Sequence, residues 1–465
     1  MQIIKFYNRE KELSLLEKVK KPFFCIIYGR RRVGKTSLVL NFLKDKDFVY
    51  FFVNPKKSEN MLLEEFTQIL LEKGVIKEYF RPKNWEEFFK LLFENYQKFV
   101  IFDEFQWFLD VNKSVPYILQ KYWDISLKKP SIILTGSIIG MVKDLFEKEG
   151  APFFKRADVK IKLKPFEIHT VFEILNDLKI ENIEEKFKLY LLFGGLPYYY
   201  SLLRKYSIRN VEEAIKNLVL SEHAPLRNEV EEILVEAFKR EYKTYLSILF
   251  AIAEGKTKIE EIASYAKIKP TSLMPYIYDL MNHLELIEKQ RIGFKKKHVY
   301  EICDFFHRFW LRYVYKYSTI LEYDEEAVFA RVKKDLNSFF GKNFEIFVRE
   351  LIRKYFSLKF EKVMKYIGFR RVREERKVFD IDILALNEHT KQILFAECKW
   401  QDNVNALKIC KELANKASYV DWHNEQRREY FAIFAKSFSK KIDEYKGRKV
   451  FCYDLNDKNF YSFGN

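Results

Sequence analysis

Tyr28-Gly29-Arg30-Arg31-Arg32-Val33-Gly34-Lys35-Thr36-Ser37-Leu38 carries the complete G-x-x-x-x-G-K-[ST] pattern, with Gly29, Gly34, Lys35 and Thr36 in its defining places. Glycines at those positions let backbone N–H groups curl around a phosphate chain where side chains would block the approach. Phe23 to Tyr28 is an apolar run suited to a buried parallel strand, and Ser37 to Lys44 reads as a helix. Phosphates would therefore sit at a helix N-terminus, where the peptide dipoles favour anions. The pattern predicts a nucleoside triphosphate held by Gly29, Arg30, Arg31, Arg32, Val33, Gly34, Lys35, Thr36 and Ser37. Lys35 reaches the β/γ-phosphates and Thr36 ligates Mg²⁺ in this expectation.

A second apolar strand, Phe99-Val100-Ile101-Phe102, ends in Asp103-Glu104. Asp103 is the candidate second holder of Mg²⁺, through its water shell, and Glu104 the candidate catalytic group that polarises the attacking water. No N-K-x-D guanine-reading motif follows, so ATP is the expected nucleotide. Ser131 to Ser137 is a third strand; Thr135 or Ser137 at its end is either a γ-phosphate sensor or part of a plain strand-to-turn transition.

Phe6-Tyr7-Asn8-Arg9-Glu10 followed by the phosphate loop resembles the prokaryotic archaeal ATPase family, in the AAA+/STAND-like branch of P-loop proteins. The resemblance implies an ASCE-class parallel sheet with a helical lid. It aligns Ala151 to Arg156 with a P-L-Y-G-R pattern whose arginine contacts the γ-phosphate, which makes Arg156 a candidate; this sequence has Lys155 where the family usually has glycine. Phe193-Gly194-Gly195-Leu196-Pro197 is similar to the family's G-G-x-P turn facing the nucleotide, and reads equally as a helix C-cap followed by proline.

Pattern changes place an ATPase core at 1–166, a helical lid at 167–239, a third segment at 240–320 and a fourth at 321–465. In the third, helices are expected at 242–253, 258–266 and 271–283, with strands at 284–289 and 299–302, which resembles a winged helix-turn-helix. Arg291, Lys295, Lys296 and Lys297 would tip its wing and touch DNA phosphates. The exposed side of the third helix is poor in Arg, Lys, Asn and Gln, which argues against sequence-specific base reading.

In the fourth segment, residues 378–386 alternate as a half-buried strand, 387–392 form a polar turn, and 393–400 return. Folding this hairpin between His389 and Thr390 sets Asp382 opposite Glu397 and Asp380 opposite Lys399, with all four side chains on one face. Opposed carboxylates repel, and a divalent cation between them resolves the conflict. The arrangement resembles the α/β PD-(D/E)xK nuclease fold, with Glu397-Cys398-Lys399 as the E-x-K element. The resemblance implies Asp382 and Glu397 as Mg²⁺ ligands and Lys399 as the residue that activates water. It adds Glu345, from the Gly341-Lys342-Asn343-Phe344-Glu345 start of an earlier helix, as a further ligand.

A formal net charge of +17 over 465 residues suits a polyanionic partner, with DNA expected. The 32% of charged residues also fits the ion-rich surface of a hyperthermophile protein. Five scattered cysteines lack C-x-x-C spacing, which argues against a disulfide framework or structural zinc and for a reducing cytoplasm. No run has the length of a membrane helix. The reading is an ATP-switched, DNA-directed protein with a metal-dependent nuclease tail, with homo-oligomerisation left open. Its alternative is a nucleotide-switched regulator or scaffold whose nuclease-like part binds without cleaving.

Overall fold

The computed structural model describes residues 5–294, 297–372 and 375–461. It divides into two compact units.

The first comprises the chain up to Phe166 together with Leu196–Tyr198 and Tyr278–Glu285. Five strands form its parallel sheet: β1 (Phe24–Tyr28), β2 (Phe48–Phe52), β3 (Phe99–Asp103), β4 (Ser131–Gly136) and β5 (Val159–Lys162), in the order β2-β3-β4-β1-β5. Every residue of β1, β3 and β4 is buried, as expected of strands covered on both faces. Because β4 lies between β1 and β3, with Tyr28 beside Gly136 and Phe102 beside Leu134, the carboxyl ends of all three strands meet at one edge. That edge is where ligands bind in open parallel sheets. The helix Lys35–Phe42 starts directly from Gly34, whose φ of 93° lies in the left-handed region that glycine adopts without strain.

The second unit comprises Glu167–Gly195, Tyr199–Ile277 and Leu286–Asn465. Side-chain packing ties its segments together. Phe187 stacks on Phe460, with centroids 5.7 Å apart, and meets Phe347 edge-on. The buried Asn343 amide donates to the Leu191 carbonyl at 2.8 Å. Arg227 reaches the Leu321 carbonyl and Glu322.

The helices Tyr242–Ala253, Ile259–Ala266 and Pro270–Asn282 precede a hairpin of β6 (Ile287–Ile292) and β7 (Lys297–Ile302). The first hairpin strand begins three residues later than expected, because Glu285 takes a φ of 53° and turns the chain. From Tyr278 onward the third helix belongs to the first unit, where His283 accepts from the Ile139 N–H and its ring occupies the space a Cβ at Gly140 would need.

The helix Glu325–Tyr355 follows, so Gly341 and Glu345 lie in its interior rather than at a helix start. Next come β8 (Lys362–Val372), β9 (Glu375–Asn387), β10 (Gln392–Lys399), β11 (Val404–Asn405), the helix Ala406–Ala417, β12 (Arg428–Ala435), β13 (Phe438–Lys440), β14 (Glu444–Tyr445) and β15 (Arg448–Tyr453). Among the described residues these build an eight-stranded sheet ordered β14-β15-β12-β10-β9-β8-β6-β7, with β11 and β13 paired separately. The β6–β7 hairpin is thus an edge of the C-terminal sheet, through the Ile292–Lys365 pair. Phe395, Phe431, Cys410 and Leu413 lie in the core between this sheet and the helix Ala406–Ala417.

Candidate nucleotide and carboxylate sites

At the carboxyl edge of the first sheet, Lys35 Nζ donates to the Gly29 carbonyl (3.1 Å), the Arg30 carbonyl (3.3 Å) and Ser137 Oγ (3.0 Å). Burial lowers its pKa, and the charges of Glu104 and Asp103 work against that shift. Asp103 accepts from Thr36 Oγ1 at 2.8 Å, from Tyr50 Oη at 2.5 Å, from Thr135 Oγ1, and from the Glu104 N–H at 3.1 Å. Burial and the bond to Asp103 push the Tyr50 phenol up. Glu104 accepts from the Ser137 N–H (3.1 Å), from Ser137 Oγ and from Gln106 Nε2 (2.6 Å). Glu104 holds a left-handed backbone at φ 57°, ψ 42°, a conformation that costs a non-glycine residue about 1 kcal/mol or more and concentrates at functional sites.

The structure therefore brings Lys35, Thr36, Asp103, Glu104 and Ser137 into one hydrogen-bonded network. Thr36 and Asp103 supply the hard oxygen donors that suit Mg²⁺. Tyr50 and Gln106 were not expected. Gln106 is fully buried. A buried glutamine two residues past an acidic pair was its available signal. Around the loop, the Arg32 guanidinium lies 3.8 Å from the Tyr198 ring centroid. Pro197 comes within 3.6 Å of the Cβ position of Gly34, so the end of the G-G-x-P turn borders the loop. Gly194, at φ 63°, also ends the helix Ile183–Phe193.

A Cβ added at Gly29 would lie 2.3 Å from the Leu163 carbonyl oxygen, which is backbone and cannot rotate away. Gly29→Ala is expected to destabilise the protein by about 1–3 kcal/mol in denaturant titration and to weaken nucleotide binding in the same preparation.

Arg156 pairs with an acidic side chain. Its Nε donates to both oxygens of Asp124 at 3.0 Å, and its carboxylate partner lies on the helix Val115–Ile125. Lys155 takes φ 59°, in the left-handed region that glycine adopts without strain. Arg156→Ala is expected to change ATP turnover by less than about twofold, as for other partly exposed ion pairs. A loss beyond tenfold in a phosphate-release assay would restore the γ-phosphate role.

In the second unit, β10 pairs with β9 through Ile393–Leu386 to Ala396–Ile383, the register that folding about 389/390 predicts. The next residues depart from a regular ladder. Two residues of β9, Asp382 and Ile383, face one of β8, Lys365, between the Met364–Leu384 and Tyr366–Ile381 pairs. Such a bulge turns side chains out of strict alternation. Asp382 accepts from the Cys398 N–H at 2.9 Å. Asp380 pairs with Lys365 (3.5 Å), not with Lys399, and Lys399 binds its neighbour Glu397 at 2.8 Å. Lys416 also reaches Glu397, at 3.2 and 3.3 Å.

Asp382 is pushed up to about 7, first by burial and then by the charges of Glu397 and Glu345. Lys365 rises because Glu345, Asp382 and Asp380 outweigh its burial. Among the described residues, no group of three or more His, Cys, Asp or Glu side chains closes into a metal cage. Glu345 stands 3.9 Å from Lys365, and two lysines balance Glu397. Oxygen donors at Asp382 and Glu397 still fit one Mg²⁺ that keeps several waters. Lys365 and Lys416 had no sequence signal, being two lysines among many on polar surfaces.

Arg291 turns back to donate to the Phe294 carbonyl at 2.6 Å. Lys295 and Lys296 lie outside the described residues, as does the side chain of Lys297, the first residue of β7. No helix among the described residues is long and apolar enough to cross a membrane.

Residues 6–203 match an ATPase domain predominantly from Archaea, and residues 310–410 match a family of archaeal and bacterial proteins of unknown function. The chain is 30% identical to MJECL04 of Methanocaldococcus jannaschii over 469 residues, 97% of this chain and 99% of the relative. It is 34% identical to the ATP-binding protein MJ0625 of the same organism over 77 residues, 15% of this chain and 23% of that one. Among solved structures, the Walker-type ATPase PABY2304 of Pyrococcus abyssi superposes with a TM-score of 0.50 at 20% identity, covering 66% of this chain and 96% of that chain. That likeness concerns the fold.

Proposed function

The chain belongs to the family of M. jannaschii MJECL04 and carries an archaeal-type P-loop ATPase domain, and from that premise we propose an ATP-switched, DNA-directed protein whose C-terminal sheet is a metal-dependent nuclease. In the ATPase half, the loop N–H groups and Lys35 bind the phosphates, Thr36 and Asp103 hold Mg²⁺, and Glu104 orients the attacking water. Ser137 touches both Lys35 and Glu104, so a γ-phosphate that draws Lys35 away also loosens the hold on Glu104.

The observation that carries the nuclease reading is the closeness of two carboxylates, Asp382 bonded to the Cys398 N–H beside Glu397 and feeling its charge, with Lys399 on Glu397. Mg²⁺ between the carboxylates would stabilise charge on a phosphodiester, and Lys399 would orient the nucleophilic water. The three helices and hairpin of 242–302 have the element order of a winged helix-turn-helix, and the +17 charge favours a polyanion.

One observation favours the regulator reading. Glu397 is already balanced by two lysines without a metal, which suits a domain that grips a duplex and does not cut it. A Mg²⁺-dependent nuclease assay on supercoiled, linear and single-stranded DNA separates the two readings. Cleavage that disappears in Glu397→Ala supports the nuclease, and its loss in Lys35→Ala shows gating by ATP. Intact ATP turnover with no cleavage on any substrate establishes the regulator.

A further inference from the structure

Beyond the bulge, β8 and β9 continue as a two-stranded arm with unlike faces. Tyr366, Phe379 and Gly368 fill one face. Tyr366 packs on Phe294 with centroids 5.4 Å apart and on Phe379 at 6.0 Å, and Phe379 meets Tyr419 at 6.0 Å. Gly368 is required there, because a Cβ would come 2.4 Å from the Phe379 ring. This face is a small core and fixes the arm.

The other face is apolar and open to solvent. Phe369 and Val378 are directly opposite one another, and Ile367 is opposite Asp380. Their exposures are 50% for Phe369, 63% for Val378 and 38% for Ile367. The strip starts beside Lys365 and Asp380, which border the Asp382/Glu397 site. Exposed Lys377 flanks its far end. The β6–β7 hairpin adjoins it, since the Gly293 N–H donates to the Lys365 carbonyl at 3.1 Å.

The geometry points to this arm face as the binding surface for unpaired bases of single-stranded DNA passing the carboxylate site. Resting on the nuclease reading, it names that site's substrate class. Three adjoining features fit this occupant. A phosphate backbone answers exposed Lys377 and the chain's net positive charge. The π-faces of unstacked bases answer Phe369 and its apolar neighbours. A closed duplex keeps its base faces stacked inside and offers none of them to Phe369. Adjacency to the carboxylates sets a strand held on the arm beside the metal position.

The test uses the full chain in EDTA at fixed salt, with fluorescence anisotropy of a labelled single-stranded oligonucleotide and of the blunt duplex of the same sequence. Wild type and Glu397→Ala are expected to prefer the single strand. The double variant Phe369→Ser/Val378→Thr, on an exposed face, is expected to lose roughly tenfold in single-strand affinity and under twofold in duplex affinity. Its thermal midpoint is measured alongside to establish that the fold is kept. Equal losses on both substrates, no loss on either, or no preference for single strands in the wild type would each overturn the proposal. These outcomes are independent of Mg²⁺-dependent cleavage in Glu397→Ala, so a failed arm and a failed nuclease reading are told apart.

Discussion

In the Glu104→Gln variant, ATP turnover is expected to fall by about 10²–10⁴-fold while ATP affinity stays within about threefold. The substitution keeps the shape of the side chain and one carbonyl oxygen, so Ser137 or Gln106 still finds an acceptor. It removes the carboxylate charge that polarises water at the end of β3. The strained backbone of Glu104 is held by the same neighbours and is unchanged. Thr36, Lys35 and Asp103, the proposed holders of phosphate and metal, are untouched. Phosphate release and titration with a fluorescent ATP analogue measure the two quantities separately. Turnover within threefold of wild type would remove Glu104 from the chemistry.

The second large effect concerns Asp382. Its folded pKa of about 7 lies above the ordinary aspartate value of 3.8, so the native state binds this proton more tightly than the unfolded chain does. Stability from this group is therefore greatest at low pH and is lost as pH rises from about 4 through 7. In EDTA, Asp382→Asn is expected to be no more stable than wild type near pH 4 and more stable by about 2–4 kcal/mol above pH 7. The spread reflects charge shared with Glu397 and the lysines around it. Mg²⁺ above pH 7 is expected to raise the unfolding midpoint of wild type and to leave that of Asp382→Asn unmoved. Urea titrations at several pH values check this. A stability difference that does not grow with pH would show that the Asp382 carboxylate is not held against its charge.

Much of the ATPase half was legible because its chemistry is local in sequence. Phosphate binding needs glycines, a lysine and a threonine at fixed spacing on one strand-loop-helix, and those residues sit within Gly29–Thr36. The acidic pair needed only an apolar strand before it. The 389/390 fold point likewise gave the β9–β10 register, since hairpin pairing follows from turn position.

Tertiary structure decided what depends on residues far apart in the chain. The bulge at Asp382–Ile383 answers to β8, a separate strand, and it moved Asp380 from Lys399 to Lys365. Arg156 found Asp124, 32 positions away, and Lys416 found Glu397 from a different helix. The hairpin expected as a wing lies at the edge of the C-terminal sheet, where β8 offers it a partner. Long flexible cations pair with whichever carboxylate the fold brings near, and spacing along the chain holds no record of that choice. Sequence alone thus fixed which chemistry the phosphate loop performs, while packing between distant segments set which charges face the carboxylates.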